Sequence, residues 1–398
     1  MNCIYVAGTA DTKGPELKFL AGAIAGAGME AVIVDLGTRQ PAIEVGIGAA
    51  QVAACHPLGA DAVFGGNDRG TAMAAMGLAF ARFLSGRTDI AGIVGIGGGG
   101  GTSVVTAGMR ELPLGLPKIM VSTLASGDVS GFVGISDIVM MPSVCDMTGL
   151  NRVSRTVLHN AAQAIAAMAS RPAPASDERP STGLTMFGVT TQCVTAIIDK
   201  LQGERDCMAF HATGVGGRTM EKLVDSGLVD SVIDITTTEV CDLLLGGVLA
   251  ASEDRFGAIA RTGIPWVGSA GALDMVNFWA PETIPERFRG RTFYNHNPNV
   301  TLMRTTAREA AQIGDWIGAR LNACDGPVRF LIPEKGVSAL DIAGGPFFDP
   351  HANAALFDAL ETTIEQTDRR RVIRLPLHIN DPEFAAAAVL AFNEIASA

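Results

Sequence analysis

The stretch from Ile90 to Arg110 constrains the fold more than any other part of the chain. An apolar strand leads into consecutive glycines, and Thr102 then opens a helical segment. Glycine can adopt left-handed φ and approach a ligand closely, and the N–H groups at a helix N-terminus attract anions. The alternative is a glycine-rich turn that packs tightly on a neighbouring helix. The stretch predicts a phosphate-binding turn formed by Gly97, Gly98, Gly99, Gly100, Gly101 and Thr102.

The glycine run does not by itself identify the ligand. Gly95, Gly97 and Gly100 match the dinucleotide pattern G-x-G-x-x-G, but a segment this rich in glycine matches such a pattern easily. The next predicted strand, Lys118–Ser122, ends without the carboxylate that an NAD site needs for the ribose. No Gly-Lys-Ser/Thr triplet of a Walker loop follows the glycines. The pattern therefore indicates a non-standard nucleotide or phosphate site, and an NAD(P)-dependent dehydrogenase is the less favoured alternative.

Short apolar segments alternate with amphipathic helical segments along the first half of the chain. The predicted strands are residues 2–7, 31–36, 61–64, the segment before the glycine run, 118–122 and 138–140. This alternation indicates a doubly wound, mostly parallel sheet. Ligands collect at the carboxyl ends of the strands in such sheets.

Polar residues follow several of these strands, so a parallel sheet would bring them to one edge. Lys13 is a point charge able to reach a phosphate and is a catalytic candidate, and Arg69 can bind a phosphate through two N–H groups. Asp11 or Asp128 could hold Mg²⁺, which prefers carboxylate and phosphate oxygens. For each residue taken singly, helix capping or a solvated surface position is the alternative. The hydroxyl-bearing candidates for nucleotide contact at this edge are Thr12, Thr38, Thr102 and Ser122.

Four segments of the first half, in this order, resemble the Tm-1-like ATP-binding family, an uncharacterised bacterial family: YVAGTADTKGPEL, VDLGT, GGNDRGT and GIGGGGGT. The family includes the amino-terminal part of a plant protein that inhibits tobamovirus RNA replication. The resemblance covers the full chain and implies ATP binding in the first domain, a two-lobed α/β structure and a homodimer. It places the nucleotide contacts at Thr12, Lys13, Thr38, Arg69 and the turn 97–102. Members often carry serine where this sequence has Gly99, and the family name implies no reaction.

A segment rich in proline, serine and charged residues, SRPAPASDERPSTG at 170–183, predicts a boundary between two domains. We expect a nucleotide-binding α/β domain at 1–172, a linker at 173–183 and a second α/β domain, a possible substrate lobe, at 184–398. The second half repeats the strand, glycine, threonine-rich turn and helix of the first half, which suggests duplication. The predicted fold class is α/β, with two doubly wound Rossmann-like lobes, mostly parallel sheets and a cleft between them.

The second half places histidines and carboxylates after its predicted strands, which is the minimum for general acid–base catalysis. His211 ends a strand beside the glycine turn 214–217, where a helix N-terminus could bind carboxylate or phosphate. Glu239 follows another strand, and His378 and Asp381 follow the last one. The candidate base is His211 or His378, oriented by Glu239 or Asp381. Capping of the last helix by Asp381 is the alternative.

Composition narrows the expected partners and compartment. The formal net charge of −11 argues against nucleic acid as the main partner, since phosphate neutralisation needs a basic face. The seven cysteines form no Cys-x-x-Cys pair and fit a reducing cytoplasm. The N-terminus lacks a signal-peptide pattern, and the glycine-rich stretch is a poor membrane span. We expect a cytoplasmic protein without a nucleic-acid or membrane partner.

The residue patterns predict a nucleotide or phosphate site with Mg²⁺, and the family resemblance implies that the nucleotide is ATP. The expected activity of the protein is phosphoryl or adenylyl transfer to a small oxygen-rich metabolite at the cleft, because such transfer depends mainly on positioning and charge neutralisation. A nucleotide-gated binding module without turnover is the alternative.

Overall fold

The computed structural model describes residues 2–66, 68–170 and 178–396 and divides the chain into two compact units. Unit 1 is Met1–Ser176 and unit 2 is Asp177–Ala398. The division falls inside the predicted linker, of which residues 173–177 lie outside the described residues. Residues 181–183, also predicted as linker, belong to a strand. Within the described ranges, no helix is both long and apolar enough to span a bilayer.

The sheet of unit 1 consists of β1 Cys3–Gly8, β2 Ala31–Asp35, β3 Ile90–Gly97, β4 Lys118–Ser122 and β5 Val139–Pro142. All neighbouring strands are parallel, in the order β2-β1-β3-β4-β5. The central strand β3 is buried along almost its whole length. A strand covered on both faces reads as a continuous apolar run instead of an alternating one, and this explains the sequence of β3.

Helices cover both faces of this sheet. Successive side chains of β1 point to opposite faces: Ile4 and Val6 belong to one apolar cluster, and Tyr5 and Ala7 belong to another. The first cluster includes residues of α1 and α7, and the second includes residues of α4 and α5. The helices described in unit 1 are α1 Ala10–Gly26, α2 Ala49–Ala53, α3 Asp61–Phe64, α4 Arg69–Ser85, α5 Gly99–Met109, α6 Ser130–Val133 and α7 Arg152–Ser170.

Unit 2 contains a parallel sheet and a smaller antiparallel sheet. Its strands are β6 Ser181–Met186, β7 Asp206–His211, β8 Ser231–Thr236, β9 Trp266–Gly271, β10 Met275–Phe278, β11 Phe293–Asn297, β12 Val300–Arg304, β13 Val328–Pro333 and β14 Arg370–Leu375. The parallel sheet has the order β14-β13-β9-β8-β6-β7, and the antiparallel sheet has the order β10-β12-β11.

The helices of unit 2 cover the two faces of the parallel sheet in the same manner. Residues of α8 and α14 pack against one face, and residues of α9, α12 and α13 pack against the other. A capping box between Thr306 and Glu309 fixes the start of α12. The helices described in unit 2 are α8 Thr191–Leu201, α9 Val215–Asp225, α10 Glu239–Leu245, α11 Gly257–Thr262, α12 Ala307–Leu321, α13 Pro350–Thr363 and α14 Pro382–Ala396.

The prediction of two doubly wound α/β units with mostly parallel sheets is confirmed. The order β7-β6-β8-β9-β13 of unit 2 repeats the order β2-β1-β3-β4-β5 of unit 1, which agrees with the duplication inferred from the sequence. The predicted strand at residues 61–64 is wrong, because this segment is the short helix α3. Of α3 only Val63 is buried, and Phe64 is 42% exposed, so the segment lies at the surface instead of between the two helical layers that cover a strand of this sheet.

Candidate functional site

The strand order of unit 1 creates a topological switch point between β1 and β3. From β1 the chain runs through α1 to β2 on one side, and β3 then lies on the other side of β1. α1 and α5 therefore leave neighbouring strands on opposite faces of the sheet. The carboxyl edge at such a point is where doubly wound proteins bind ligands. The segments that meet there are Thr9–Lys13 and the glycine turn.

The glycine turn forms the N-terminus of α5, which begins at Gly99. Gly98 is its N-cap and provides no side-chain hydrogen bond to the helix. The N–H of Thr102 makes the first intrahelical bond, to the carbonyl oxygen of Gly98 at 2.8 Å. Gly99 and Gly100 are exposed. The N–H groups before Thr102 therefore face solvent without a capping side chain, and the helix dipole favours an anion there.

The physical reason for the glycines differs from the expected one. None of the glycines from 97 to 101 has positive φ, so the expectation of left-handed backbone is wrong for this turn. At Gly97 a Cβ would lie 2.7 Å from the backbone C of Gly101 and from the N of Thr102. A Cβ at Gly99 or Gly100 would make ordinary contacts at 3.6 and 3.7 Å. Gly97 is required by close packing, whereas Gly99 and Gly100 leave the amides uncovered.

Thr102 and Ser122 are fully buried and bond to each other, with their hydroxyl oxygens 2.7 Å apart. The Ser122 hydroxyl also accepts the N–H of Leu124 at 3.0 Å. These two predicted contact residues therefore join the start of α5 to the end of β4. Their hydroxyls hold the turn in place and are covered from solvent, so the prediction of direct nucleotide contact does not fit their position.

A polar pocket of about 290 Å³ lies over the carboxyl ends of β1 and β2 and beside the start of α4. It brings together Asp11, Thr12, Thr38 and Arg69, four predicted site residues. It also contains Arg39, which the sequence analysis did not select. Among the described residues, the guanidinium groups of Arg39 and Arg69 have no hydrogen-bond or ion-pair partner, so both remain able to bind an anion.

The pocket adjoins the glycine turn through two residues of α4. Arg69 and Met73 line this pocket and also a neighbouring space of about 650 Å³ that Gly100 and Ser103 of α5 border. The Met73 methyl group lies 3.7 Å from the position of a Cβ on Gly100. Arg69 can therefore face a ligand held at the N-terminus of α5.

Lys13 lies at the same edge but does not line the pocket. Its ammonium group donates a hydrogen bond to the carbonyl oxygen of Met147, in the segment between β5 and α7. Lys13 also interrupts α1 with a non-helical backbone conformation. In this arrangement Lys13 secures the 143–150 segment, and the predicted phosphate and catalytic contacts would need its side chain to turn away from Met147.

The carboxylates of Asp11 and Asp35 lie side by side at the ends of β1 and β2. Oδ1 of Asp35 accepts the N–H groups of Ala10 at 2.9 Å and Gly37 at 2.8 Å. Asp35 is 1% exposed, and its Oδ2, like Oδ1 of Asp11, is buried without a partner among the described residues. Burial raises the pKa of the Asp35 carboxyl, and the charge of Asp11 raises it further against the two hydrogen bonds. Such a pair is suited to a bound cation.

Asp128, the other predicted metal ligand, lies elsewhere. Its Oδ1 accepts the N–H of Ser130 at 2.9 Å at the start of α6, and this bond lowers the pKa of its carboxyl. Asp128 therefore forms a local hydrogen bond at an exposed position before α6, and the prediction that it holds a metal is not supported by its position. No group of three or more His, Cys, Asp or Glu side chains within the described ranges is arranged to hold a metal. A cation at Asp11 and Asp35 would need further oxygen ligands from water or phosphate.

Glu239 occupies the helix N-terminus that the sequence predicted as an anion site in unit 2. Its Oε1 accepts the N–H groups of Gly214 at 2.7 Å and Gly217 at 3.1 Å, at the start of α9. Its Oε2 accepts from Nε of the buried Arg255 at 3.1 Å. The anion of this helix N-terminus is therefore supplied by the protein itself. The predicted catalytic role of Glu239 does not fit this geometry, because its carboxylate is fully buried and bonded.

The two candidate histidines have separate structural surroundings. His211 is exposed at the end of β7, where its Nδ1 lies 3.2 Å from the carbonyl oxygen of Met186. Nδ1 of His378 accepts the N–H of Asn380 at 3.1 Å, and Nε2 lies 2.9 Å from the carbonyl oxygen of Ser338. Because both nitrogens of His378 are used, its prediction as a free general base does not fit. His211 and Glu239 share no hydrogen bond within the described part of the chain.

Asp35, Arg39 and Asp68 are the residues of this region that sequence reasoning missed. Asp35 ends β2 and Arg39 follows it closely, so a search of every strand end for charges would have found both. Asp68 lines the pocket and caps α4 by accepting the N–H of Thr71 at 2.7 Å. Its position before Arg69 is a typical N-cap signal.

The fold and the site define a two-unit α/β protein with a polar pocket at the switch point of its first sheet. The chain belongs to the UPF0261 family. Residues 2–174 match the "Uncharacterised protein family (UPF0261) N-terminal domain", and residues 179–396 match the corresponding C-terminal domain.

The relatives agree with this assignment. UPF0261 proteins of Mesorhizobium japonicum and Rhizobium meliloti are 71% and 69% identical over the whole length of both chains. The tomato (Solanum lycopersicum) "ToMV resistance protein Tm-1(GCR237)" is 43% identical, over 98% of this chain and 55% of the tomato protein. The resemblance drawn from the four sequence segments is confirmed.

Proposed function

We propose that unit 1 binds a nucleoside triphosphate, ATP with Mg²⁺, at the carboxyl edge of its sheet. One observation carries this proposal: an uncapped helix N-terminus of glycine amides adjoins a pocket that two unpaired arginines line. Amides and arginines together bind phosphate oxygens well. The resemblance to the Tm-1-like ATP-binding family supports the choice of ATP.

The surrounding residues supply the remaining parts of such a site. Arg69 faces both the pocket and the glycine turn and would contact the phosphates. Thr12 and Thr38 line the pocket and would hydrogen-bond the ribose or a phosphate. Asp11 and Asp35 fit Mg²⁺, which keeps waters and binds one or two carboxylates together with phosphate oxygens.

Of the two candidate functions, the geometry favours a nucleotide-gated binding module, which binds ATP without turnover. The residues expected to perform acid–base chemistry in unit 2, Glu239 and His378, are occupied by structural hydrogen bonds. Phosphoryl or adenylyl transfer to a small oxygen-rich metabolite is the second candidate, because it needs charge neutralisation more than a protein base. Release of phosphate or pyrophosphate from ATP by the full chain separates the two candidates.

The NAD-dependent alternative is disfavoured on the geometry of Asp35. This residue ends the strand after β1, where dinucleotide-binding folds use an acidic residue for the ribose. Its Oδ1 binds the N–H groups of Ala10 and Gly37, and the side chain is buried. Oδ1 is thus occupied by the protein's own N–H groups and is not free to accept a ribose hydroxyl.

We also propose that the protein is a homodimer, as the family resemblance implies, and that it is cytoplasmic, as its cysteine usage indicates. All seven cysteines are free, as expected in a reducing compartment. Sedimentation equilibrium of the full chain tests the dimer directly.

Replacing Arg69 with alanine is expected to weaken ATP binding by about 10- to 100-fold, because hydrogen bonds to charged groups contribute about 1.5–3 kcal/mol. Calorimetric titration of the full chain with ATP in excess Mg²⁺ measures the change. The matched control is Arg82→Ala, which removes an exposed arginine from the last turn of the same helix α4. Equal ATP affinity of the Arg69→Ala and Arg82→Ala variants would show that Arg69 does not contact ATP. Absence of ATP binding by the wild type would refute the proposal.

Replacing Asp35 with asparagine is expected to remove the Mg²⁺ dependence of ATP affinity while raising the melting temperature of the free protein. The amide keeps an oxygen for Ala10 and Gly37 but removes a buried charge. Burial raises the pKa of the Asp35 carboxyl, and the nearby charge of Asp11 raises it further. Mn²⁺ binding measured by electron paramagnetic resonance reports the metal without any turnover. Asp128→Asn is the control and should retain Mn²⁺ binding. If Asp128→Asn loses Mn²⁺ while Asp35→Asn retains it, the assignment of the metal to Asp35 is wrong.

A further inference from the structure

A pocket of about 700 Å³ lies at the carboxyl ends of β13 and β14 in unit 2, and the proposed function makes no use of it. The two strands are parallel, with Pro333 beside Leu375, so the segments that follow them begin side by side. The first half of α13 lines another side of the pocket. Small-molecule sites of doubly wound proteins occur at such edges and have volumes of this size.

One wall of this pocket is apolar. Ile342 and Phe348 are 48% and 45% exposed, although both are large apolar side chains. Phe357 and Ala354 of α13 continue the same wall. An apolar group placed in the pocket would remove this surface from water, which is the main favourable contribution to ligand binding in such sites.

The same pocket is also lined by charged side chains of both signs. The ammonium group of Lys335 forms no hydrogen bond or ion pair within the residues that the structure describes. Oδ2 of Asp381 accepts the N–H of His378 at 2.8 Å, and its Oδ1 has no hydrogen bond in the same set. Arg374 is instead neutralised by Asp358 and Glu361, each at 2.8 Å. Glu334 also lines the pocket, and its Oε1 lies 3.7 Å from Nη1 of Arg374. Within the described part of the chain, Lys335 is thus the cation of the pocket that lacks a partner, and Oδ1 of Asp381 is a carboxylate oxygen that lacks one.

His378 forms part of the floor and takes no part as an acid or base. Its Nδ1 accepts an N–H group from Asn380, so the ring proton is on Nε2, which donates to the carbonyl oxygen of Ser338. Asp381 is held separately from the ring, because its Oδ2 accepts the backbone N–H of His378. The site is arranged for binding.

We propose that this pocket binds a small zwitterion with an apolar side chain, an α-amino acid of the leucine or phenylalanine type. Lys335 pairs with the carboxylate, Asp381 pairs with the ammonium group, and the side chain covers Ile342 and Phe348. A simple carboxylic acid would leave Asp381 beside its anion, and a simple amine would meet Lys335. A zwitterion satisfies both charges, and its binding does not depend on the proposed nucleotide site.

Calorimetric titration of the full chain with L-leucine and L-phenylalanine tests the proposal. 4-Methylpentanoate and isoamylamine are the matched ligands, because each keeps the apolar group and lacks one charge. We expect saturable binding of at least one of the two amino acids at millimolar concentration or below, and binding at least about tenfold weaker for the single-charge ligands. Equal affinity for 4-methylpentanoate, or no binding of either amino acid, overturns the proposal.

Protein variants separate this site from unit 1. Lys335→Ala and Phe348→Ala alter exposed side chains, so both variants should fold, and each should weaken amino-acid binding by about tenfold. Lys200→Ala removes another exposed lysine of unit 2 and should bind as the wild type does. Arg69→Ala, which tests the nucleotide site, should also leave amino-acid affinity unchanged. Unchanged affinity in Lys335→Ala would refute the assigned pocket.

Discussion

Replacing Arg255 with alanine is expected to lower the free energy of unfolding of unit 2 by about 3–5 kcal/mol, the cost of removing one partner from a buried ion pair. Arg255 is 1% exposed, and it bonds three carboxylates at once. Its Nη1 donates to Glu221 at 2.8 Å, its Nη2 to Asp234 at 2.8 Å and its Nε to Glu239 at 3.1 Å. Removing the guanidinium leaves these carboxylates buried without a cation.

The surrounding groups show why this arginine has no substitute. Burial alone would lower the pKa of the Arg255 guanidinium, but Asp234, Glu221 and Glu239 raise it above its usual value. Burial raises the pKa of the Glu221 carboxyl even with Arg255 beside it. A lysine would bring a single point charge and could not form the three-way fork of a guanidinium. We therefore expect Arg255→Lys to recover only part of the lost stability.

Urea unfolding followed by tryptophan fluorescence measures this effect in unit 2 alone. All three tryptophans of the chain, Trp266, Trp279 and Trp316, lie in this unit. The control is Arg261→Ala: Arg261 also pairs with two carboxylates, Asp225 and Asp254, but about half of its side chain is exposed. Its removal should cost about 0–1 kcal/mol. If Arg255→Ala and Arg261→Ala lower the free energy of unfolding by similar amounts, burial of Arg255 and its carboxylate partners does not make their interaction stronger than that of an exposed ion pair.

Arg255 and its three carboxylates, Glu221, Asp234 and Glu239, form a cluster that could be predicted from the sequence only in part. The glycine-rich segment 214–217 follows a strand and precedes an apolar pattern of helical period, and from this the sequence correctly predicted the start of a helix. The anion that fills this helix N-terminus is Glu239, separated from Gly214 by 25 residues. Local pattern indicates that an anion site exists but cannot say whether a ligand or the protein itself supplies the anion.

The candidate site of unit 1 also contains residues that the sequence placed correctly and residues whose contacts it could not predict. Thr12 and Thr38 were found from the sequence because each follows a strand, and parallel strands gather such positions at one edge. Arg69 was selected as the residue after a predicted strand at 61–64, but that segment is a helix, and Arg69 reaches the pocket from the start of α4. Lys13 met the same criterion, but its ammonium group bonds to Met147, a contact over 134 residues that no local pattern reveals. Strand ends predict which residues lie at the edge, and the packing of distant loops decides which of them remain free.

Replacing Gly97 with alanine is expected to destabilise unit 1 by about 2–3 kcal/mol, at the upper end of the cost of overpacking a close-packed site, and to abolish the proposed ATP binding. A Cβ at this position would lie 2.7 Å from two backbone atoms, C of Gly101 and N of Thr102, and 2.9 Å from a third, Cα of Gly101. Backbone atoms in the first turn of α5 cannot move aside without opening the helix. The Thr102–Ser122 hydroxyl contact beneath the turn would be lost with it.

Gly99→Ala and Gly100→Ala distinguish this packing requirement from the role of the turn in binding. At both positions a Cβ meets only ordinary contacts, so stability should change by less than about 1 kcal/mol. If phosphate approaches the amides of this turn, the added methyl groups should nevertheless weaken ATP binding. Hydrogen exchange of α5 and β4 peptides measures the stability of the turn, and calorimetry measures ATP affinity. Wild-type ATP affinity in both variants would place the phosphates away from the glycine turn, whatever Gly97→Ala does to the fold.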